Sequence, residues 1–254
     1  MSTPSFSSCC LRSFAWDGTP SGRESTLVSN PAYITGTNPS AAVLYIHDAL
    51  GWKFTNARLL ADHFAKEANV AVYMPDFFGG EVLDAKKILA GKWTDPALDL
   101  VGFAKRNARE VREKEIFEAA RELRGKYKKV GTVGYCFGGW GVLRLGAKEH
   151  EPPLVDCVVC AHPSWAKNED FDNYGSVPIQ IISPEVDRQF PDEMKVHAFK
   201  KLVSDNGVPV AWVHFPAVEH GCMTKGDESV TGEREAMVRG KDAAVGWFKQ
   251  WLSG

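Results

Sequence analysis

From Ala42 onward the chain alternates short, apolar, β-rich runs with longer segments of helical period, and few folds accommodate that order. Residues 42–47 (A-V-L-Y-I-H) and 70–74 (V-A-V-Y-M) each read as a buried strand, the second stopping at Pro75. Between them, residues 54–67 set Leu59, Leu60, His63 and Phe64 at helical spacing, with charges at Arg58, Asp62, Lys66 and Glu67, which is the pattern of an amphipathic crossover helix. The same alternation downstream predicts helices over about 106–124, from Gly138 to about 149, over 192–204 and over 233–252, with strands over 130–133, 156–161, 179–183 and 210–215. Strands joined by helical crossovers run parallel. The expected fold class is therefore α/β, a mostly parallel central sheet with helices on both faces. No stretch reads as an interdomain linker, so residues 1–254 are expected to form a single domain. Residues 33–36 are expected to supply an early antiparallel strand. Residues 79–96 mix Gly, Trp and charged side chains without a period and are expected to help cover the functional site.

Composition narrows the function classes. With 254 residues, 44% of them hydrophobic, and a formal net charge of −2, the chain has material for a core and no electrostatic reason to bind nucleic acid. The serine-rich start lacks the basic and apolar regions of a secretory signal, and no apolar run approaches the roughly 18 residues of a membrane span. A cytoplasmic protein with no membrane partner is expected, and its six cysteines are expected to be thiols. The vicinal Cys9 and Cys10 are assigned no role.

The most informative string is K-V-G-T-V-G-Y-C-F-G-G-W, residues 129–140, where a strand runs through Gly134-Tyr135-Cys136-Phe137-Gly138 into a helix. This is the form of a nucleophile elbow with cysteine at its centre. The turn is so sharp that side chains two residues before and after the nucleophile would collide with neighbouring backbone, which suits Gly134 and Gly138. It also sets the sulfur at a helix amino terminus, where free N–H groups and the dipole favour a thiolate and an oxyanion. A phosphate-binding loop fits poorly, because neither a Lys-Ser/Thr ending nor G-x-G-x-x-G is present.

Such an elbow is followed by an acid and then a histidine, each at the carboxyl end of a later strand. After residues 179–183 comes Pro184-Glu185-Val186-Asp187, which makes Asp187 the candidate acid and Glu185 its rival. After residues 210–215 comes Pro216-Ala217-Val218-Glu219-His220-Gly221, which makes His220 the candidate base. His63, His150 and His197 fall in predicted helices, and His214 falls inside a strand, where a core residue is expected. His47 and His162 lie at strand ends. In this arrangement His220 takes the thiol proton, Asp187 orients the ring, and the thiolate attacks an acyl carbon. The amides of Phe137 and Ala49 are the expected oxyanion donors.

With these residues placed, the chain resembles the dienelactone hydrolase family over most of its length. The strings that carry the likeness are His47-Asp48-Ala49-Leu50-Gly51-Trp52, Pro75-Asp76-Phe77-Phe78-Gly79-Gly80, Gly134-Tyr135-Cys136-Phe137-Gly138-Gly139 and Glu219-His220-Gly221. The resemblance implies the α/β-hydrolase fold, a triad of Cys136, His220 and Asp187, and hydrolysis of an enol-lactone without metal or organic cofactor. It also implies that Asp48, where bacterial members carry a glutamate, modulates the thiol, since a nearby carboxylate disfavours a permanent thiolate. The rival reading of Asp48 is a loop-capping acid. Bacterial members bind the substrate carboxylate through an arginine shortly after the histidine. Here Lys225 would supply charge without a bidentate fork. The sequence is similar to the eukaryotic, particularly fungal, branch, whose substrates are diverse.

Competing sites are weaker. Cys157-Val-Val-Cys160 lies in a predicted strand, where an offset of three sends the side chains to opposite faces, so no redox or metal pair is expected. His220-Gly-Cys222 lacks a companion pair at metal spacing. Trp52, Phe78, Trp93 and Trp165 sit near predicted loops, and Trp52, His162, Trp165 and Lys225 are the expected substrate contacts. The expected partner is a small ester or lactone, taken by a monomer or homodimer. The alternative is a non-hydrolytic member that binds or rearranges a small molecule on the same scaffold.

Overall fold

The computed structural model describes Trp16 and residues 18–92, 94–225 and 231–253. Cys9, Cys10 and Trp93 lie outside the described residues.

Eight strands form one sheet in the order β1-β2-β4-β3-β5-β6-β7-β8. The strands are β1 Arg23–Leu27, β2 Asn30–Thr35, β3 Ala41–Ile46, β4 Ala71–Pro75, β5 Lys129–Tyr135, β6 Cys157–Ala161, β7 Ile179–Val186 and β8 Val210–Glu219. Strand β2 runs antiparallel to both of its neighbours, β1 and β4, and every pairing from β4 to β8 is parallel. The alternation of side chains along β3 explains why all six of its residues are buried. Leu44 and Ile46 pack on one face, and Val43 and Tyr45 on the other.

Helices α1 (Thr55–Glu67) and α8 (Glu233–Leu252) cover the face that carries Val43 and Tyr45. The Phe64 and Phe248 rings join them edge to face at 5.5 Å, a contact worth about 0.5–1.5 kcal/mol beyond the area it buries. On the opposite face lie α4 (Arg109–Lys126) and α5 (Gly138–Leu145), through Ile116, Ala120, Leu123, Val142 and Leu143.

Several elements differ from the sequence reading for reasons of tertiary contact. The helix expected over about 106–124 is α4, and a further short helix that the sequence reading did not contain, α3 (Leu100–Arg106), precedes it. Asn107, fully buried between them, bonds Glu81 and the Phe103 carbonyl and accepts from Arg112 Nε. Those partners hold the chain out of helical geometry, and Ala108 is extended. Helix α5 stops at Leu145, because Ala147 bridges to Tyr174 and the Tyr174 ring fills the space beside Gly146. The helix predicted over 192–204 divides into α7 (Asp192–Phe199) and a π-turn, Lys200–Asp205. Within residues 79–96, α2 (Ala85–Leu89) is capped by Asp84, and Leu83 and Ile88 reach the core beside Phe78, Leu98 and Phe103. Helix α6 (Asn168–Asp172) follows β6.

The extension that positions the site is at the far end of the sheet. Strands β7 and β8 run past their predicted ends through a bulge, so that Val186 pairs with Glu219. The next residues, Asp187 and His220, therefore leave adjacent strands side by side.

Candidate active site

The elbow forms as its glycines require. A Cβ on Gly134 would fall on the Gly138 carbonyl group, and one on Gly138 would fall on the Ile46 carbonyl oxygen. Cys136 itself sits at φ 50, in the left-handed region, a conformation that costs about 1–3 kcal/mol at a non-glycine residue. Its backbone is tied on both sides: the amide donates to Ala161 O at 3.1 Å, and the carbonyl accepts from Gly139 at 2.9 Å and Ser164 at 2.8 Å. Replacing Gly138 with alanine is expected to destabilise the protein by about 1–3 kcal/mol through the backbone collision. Gly125 of α4 has open space beside it, so Gly125→Ala is expected to be neutral or stabilising by up to ~1 kcal/mol. Urea denaturation of both variants checks the contrast, and equal effects would contradict the steric account.

Asp187 and His220 meet as adjacent strand ends allow. His220 Nδ1 lies 2.8 Å from Asp187 Oδ1, an oxygen that also accepts from the amides of Gln189 and Phe190. Burial pushes the Asp187 carboxyl up, but its hydrogen bond and charge contact with His220 outweigh that and hold it below its usual value. Burial likewise disfavours a charged His220 ring, yet the negative charge of the Cys136 sulfur and the bond to Asp187 raise its pKa to about 10. Glu185, the rival acid, is exposed on the bulge and accepts from the Ala217 amide. The other histidines are engaged elsewhere: His63 with Glu67, His150 with the Arg144 carbonyl, and His197 with Asp172. His214 is exposed on β8, contrary to the core position expected for it.

One residue at the centre of the site has no counterpart in the sequence reading. Ser164 Oγ lies 3.2 Å from Cys136 Sγ and 3.2 Å from His220 Nε2. It follows β6 in a tight turn, His162 to Trp165, in which both end residues have positive φ, 35 and 58. The only signal available was its position between two residues already singled out after a strand whose carboxyl end faces the site.

His162 and Trp165 are both brought to the site, in different ways. His162 was expected to contact substrate. It is instead fully buried, with its ring 4.9 Å from that of His220, so it is a neighbour of the candidate base. Burial and the His220 charge lower its pKa to about 3, so it is neutral. Trp165 is half-buried beside the Phe137 ring at 5.4 Å, and its carbonyl accepts from Arg109. Arg109 is held in turn by a bidentate pair with Asp170, 2.6 and 2.8 Å, which anchors the turn to α4 and α6.

The loop after β3 completes the surround. Asp48 is buried; one carboxylate oxygen caps the Leu50 amide and the other accepts from the Thr224 hydroxyl, in the histidine loop. Asn56 holds the Thr224 carbonyl from α1. Burial raises the Asp48 pKa against the lowering effect of its hydrogen bonds. His47 is buried in the neutral form, with its pKa lowered to about 4 by burial. It contacts the Asp48 carbonyl through Nδ1 and accepts from the Phe77 amide at Nε2, joining the β3 and β4 loops. The amides of Ala49 and Phe137 make no hydrogen bond among the described residues. Lys225 lies along Gly221, in the turn after His220. Trp52, expected at the substrate, is instead 5% exposed, in the layer of core under α1, with Arg58 over its ring at 5.0 Å. Phe78 is core as well, packed against Phe103 and Phe137.

Cys157 and Cys160 are free and buried on opposite sides of the sheet, as the strand offset required. Among the described residues no cluster of three or more His, Cys, Asp or Glu side chains is placed to hold a metal, and no helix is long and apolar enough to cross a membrane.

The model of the dienelactone hydrolase family matches residues 30–252. The chain belongs to that family. It is 32% identical over 253 residues to the hydrolase tropI of Talaromyces stipitatus, covering 96% of each chain. It is 36% identical over 238 residues to the carboxymethylenebutenolidase homolog of Mus musculus, covering 91% of each. Among solved structures, the dienelactone hydrolase of Anabaena variabilis superposes with a TM-score of 0.63 at 16% identity, over 91% of this chain and 97% of the other. The fold is accordingly the α/β-hydrolase fold, and membership in the dienelactone hydrolase family makes the protein a hydrolase acting on a small molecule. Within this dienelactone hydrolase fold Cys136 stands at the end of β5, while Asp187 and His220 follow the paired ends of β7 and β8.

Proposed function

We propose that residues 1–254 act as one hydrolase unit that opens a small ester or lactone through Cys136, His220 and Asp187, by way of a thioester acyl-enzyme. The observation that carries this reading is the aligned set Asp187–His220 beside the sulfur of an elbow cysteine at φ 50. His220 accepts the thiol proton, and Asp187 stabilises the resulting imidazolium. The thiolate adds to the acyl carbon, and the oxyanion is held by the Phe137 and Ala49 amides, each such donor being worth about 2.7–4 kcal/mol in the transition state. Collapse of the adduct expels the alkoxide, which takes the proton from His220. Water, deprotonated by the same ring, then cleaves the thioester to release the acid and regenerate the thiol.

Asp48 is the proposed thiol-modulating acid, acting across the Thr224 contact and on the charge of His220. Trp165 and Lys225 are the proposed substrate contacts, Lys225 offering one cation to an acidic substrate. The chemistry calls for no cofactor. A lactone is favoured over other esters because relatives of similar length carry the name carboxymethylenebutenolidase homolog.

Wild-type protein is expected to turn over p-nitrophenyl esters or members of a lactone panel, and rapid quenching is expected to trap an adduct on the Cys136 peptide by mass spectrometry. Turnover with the label on another residue would overturn the cysteine assignment. Binding or isomerisation of panel members without hydrolysis would favour a non-hydrolytic member instead.

A further inference from the structure

We infer that the Ser164 hydroxyl is the proton relay between Cys136 and His220, a role that rests on the reading of Cys136 as nucleophile. Its oxygen stands 3.2 Å from Cys136 Sγ and 3.2 Å from His220 Nε2, within hydrogen-bond reach of both. The other ring nitrogen of the base is already committed, since His220 Nδ1 faces Asp187. The ring can therefore exchange a proton only at Nε2, the atom that lies 3.2 Å from Ser164 Oγ and also feels the Cys136 sulfur.

A hydroxyl suits this place because it is one donor and an acceptor at once. In the neutral state the thiol donates to Ser164 Oγ while the Ser164 O–H donates to Nε2. In the ionised state the imidazolium N–H donates to Ser164 Oγ while the hydroxyl donates to the thiolate. Passage between the two breaks the S–H bond and forms an O–H bond with that proton. The original O–H bond breaks as the Nε2–H bond forms. Serine is unchanged at the end, no heavy atom has moved, and both charges are left with a hydrogen-bond partner.

The fold holds this oxygen in place at some expense. Ser164 is 6% exposed and donates its amide to the Cys136 carbonyl, so nucleophile and relay are tied at the backbone as well. The turn that presents it keeps two non-glycine residues, His162 and Trp165, at positive φ, and strain of that kind persists only where surrounding contacts over-determine it. Those contacts are the His162 amide on the Ile182 carbonyl and the Arg109–Asp170 pair beneath the Trp165 carbonyl. Ser164 is not itself placed as a nucleophile. It is outside the elbow, and no helix begins at its amide to receive an oxyanion.

Threonine and valine have the same shape and differ in the hydroxyl, so Ser164→Thr and Ser164→Val form the test, with Ser164→Ala as the smaller deletion. The primary readout is the pH dependence of Cys136 alkylation by iodoacetamide, followed at the Cys136 peptide, which needs no substrate. Loss of the hydroxyl in the Val and Ala variants is expected to raise the apparent thiol pKa by about one unit, a tenfold loss of thiolate, while Thr stays near wild type. Ester turnover is expected to fall roughly 10- to 100-fold in Val and Ala and to be rescued in Thr. The relay is overturned if Val and Thr give the same alkylation profile, or if the Ala profile stays put or moves to lower pH, as it would where His220 serves the thiol directly. A shifted profile in a protein that hydrolyses no ester would remove the hydrolase reading and leave the relay standing. Cys136-dependent turnover with unshifted profiles would do the reverse. A fluorophosphonate adduct on Ser164 with an unlabelled Cys136 would make the serine a nucleophile and end both.

Discussion

Cys136→Ala is expected to lower kcat for any ester the protein turns over by about 10⁴-fold or more, with little change in KM. The alanine leaves the fold and the base intact and removes only the atom that forms the acyl bond. Nucleophile deletion on a comparable triad costs on the order of 10⁶ in kcat, with a residual of about 10³–10⁴ over water supplied by oxyanion donors and binding alone. A loss of 10⁴ corresponds to about 5.4 kcal/mol of transition-state stabilisation. Residues that act as a unit are not additive, so Cys136→Ala combined with His220→Ala is expected to be no worse than Cys136→Ala alone. Steady-state kinetics on purified variants decide it, and a single mutant within tenfold of wild type would eliminate Cys136 as nucleophile.

Asp187→Asn is expected to cost about 10³–10⁴ in kcat and to flatten the dependence of stability on pH. The three hydrogen bonds at this side chain all converge on Oδ1, and Oδ2 is buried without a partner. An asparagine can keep its carbonyl at Oδ1 and place its amide group at Oδ2, so the substitution removes charge more than geometry. The sign of the pH effect follows from the two shifts. Asp187 is held below its usual value, so its contribution is complete above about pH 3.9 and is lost as pH falls through the lowered folded value. His220 is raised to about 10, so its contribution is complete below about pH 6.5 and is lost as pH rises towards 10. Wild-type Tm should therefore form a plateau between these limits and fall on both sides, and both slopes should shrink in Asp187→Asn. Part of the His220 shift comes from the Cys136 charge, so Cys136→Ala should bring the basic limb to lower pH. Matching Tm profiles for wild type and Asp187→Asn would dissociate the pair from stability.

Local pattern accounts for what was legible beforehand. Periodicity located the helix α8 at 233–252 and the strands of the parallel sheet, because which face of an element is apolar is written in consecutive residues. The elbow was legible for a related reason: Gly134 and Gly138 flank Cys136 within five residues, and their need is a steric one at short range. Chain order after two strands singles out Asp187 and His220, which the structure brings to 2.8 Å of each other. The departures have a common origin in partners distant along the chain. Asn107 separates α3 from α4 because Glu81 and Arg112 claim its side chain. Trp52 lies under Arg58 in the core, and His162 lies buried against His220, although both follow strands whose ends face the site.

By itself, then, the sequence determined the class of sheet, the sharp turn at Cys136 and the order in which Asp187 and His220 follow it, since each depends on spacing and on the size of near neighbours. The tertiary structure alone decided what stands between thiol and imidazole. Ser164 is 28 residues from Cys136 and 56 from His220, and a strained turn held by Arg109 and Asp170 from two different helices sets its hydroxyl between them. A hydrogen bond needs its partners within about 3 Å, and over such separations only the packed sheet and its crossovers fix that distance.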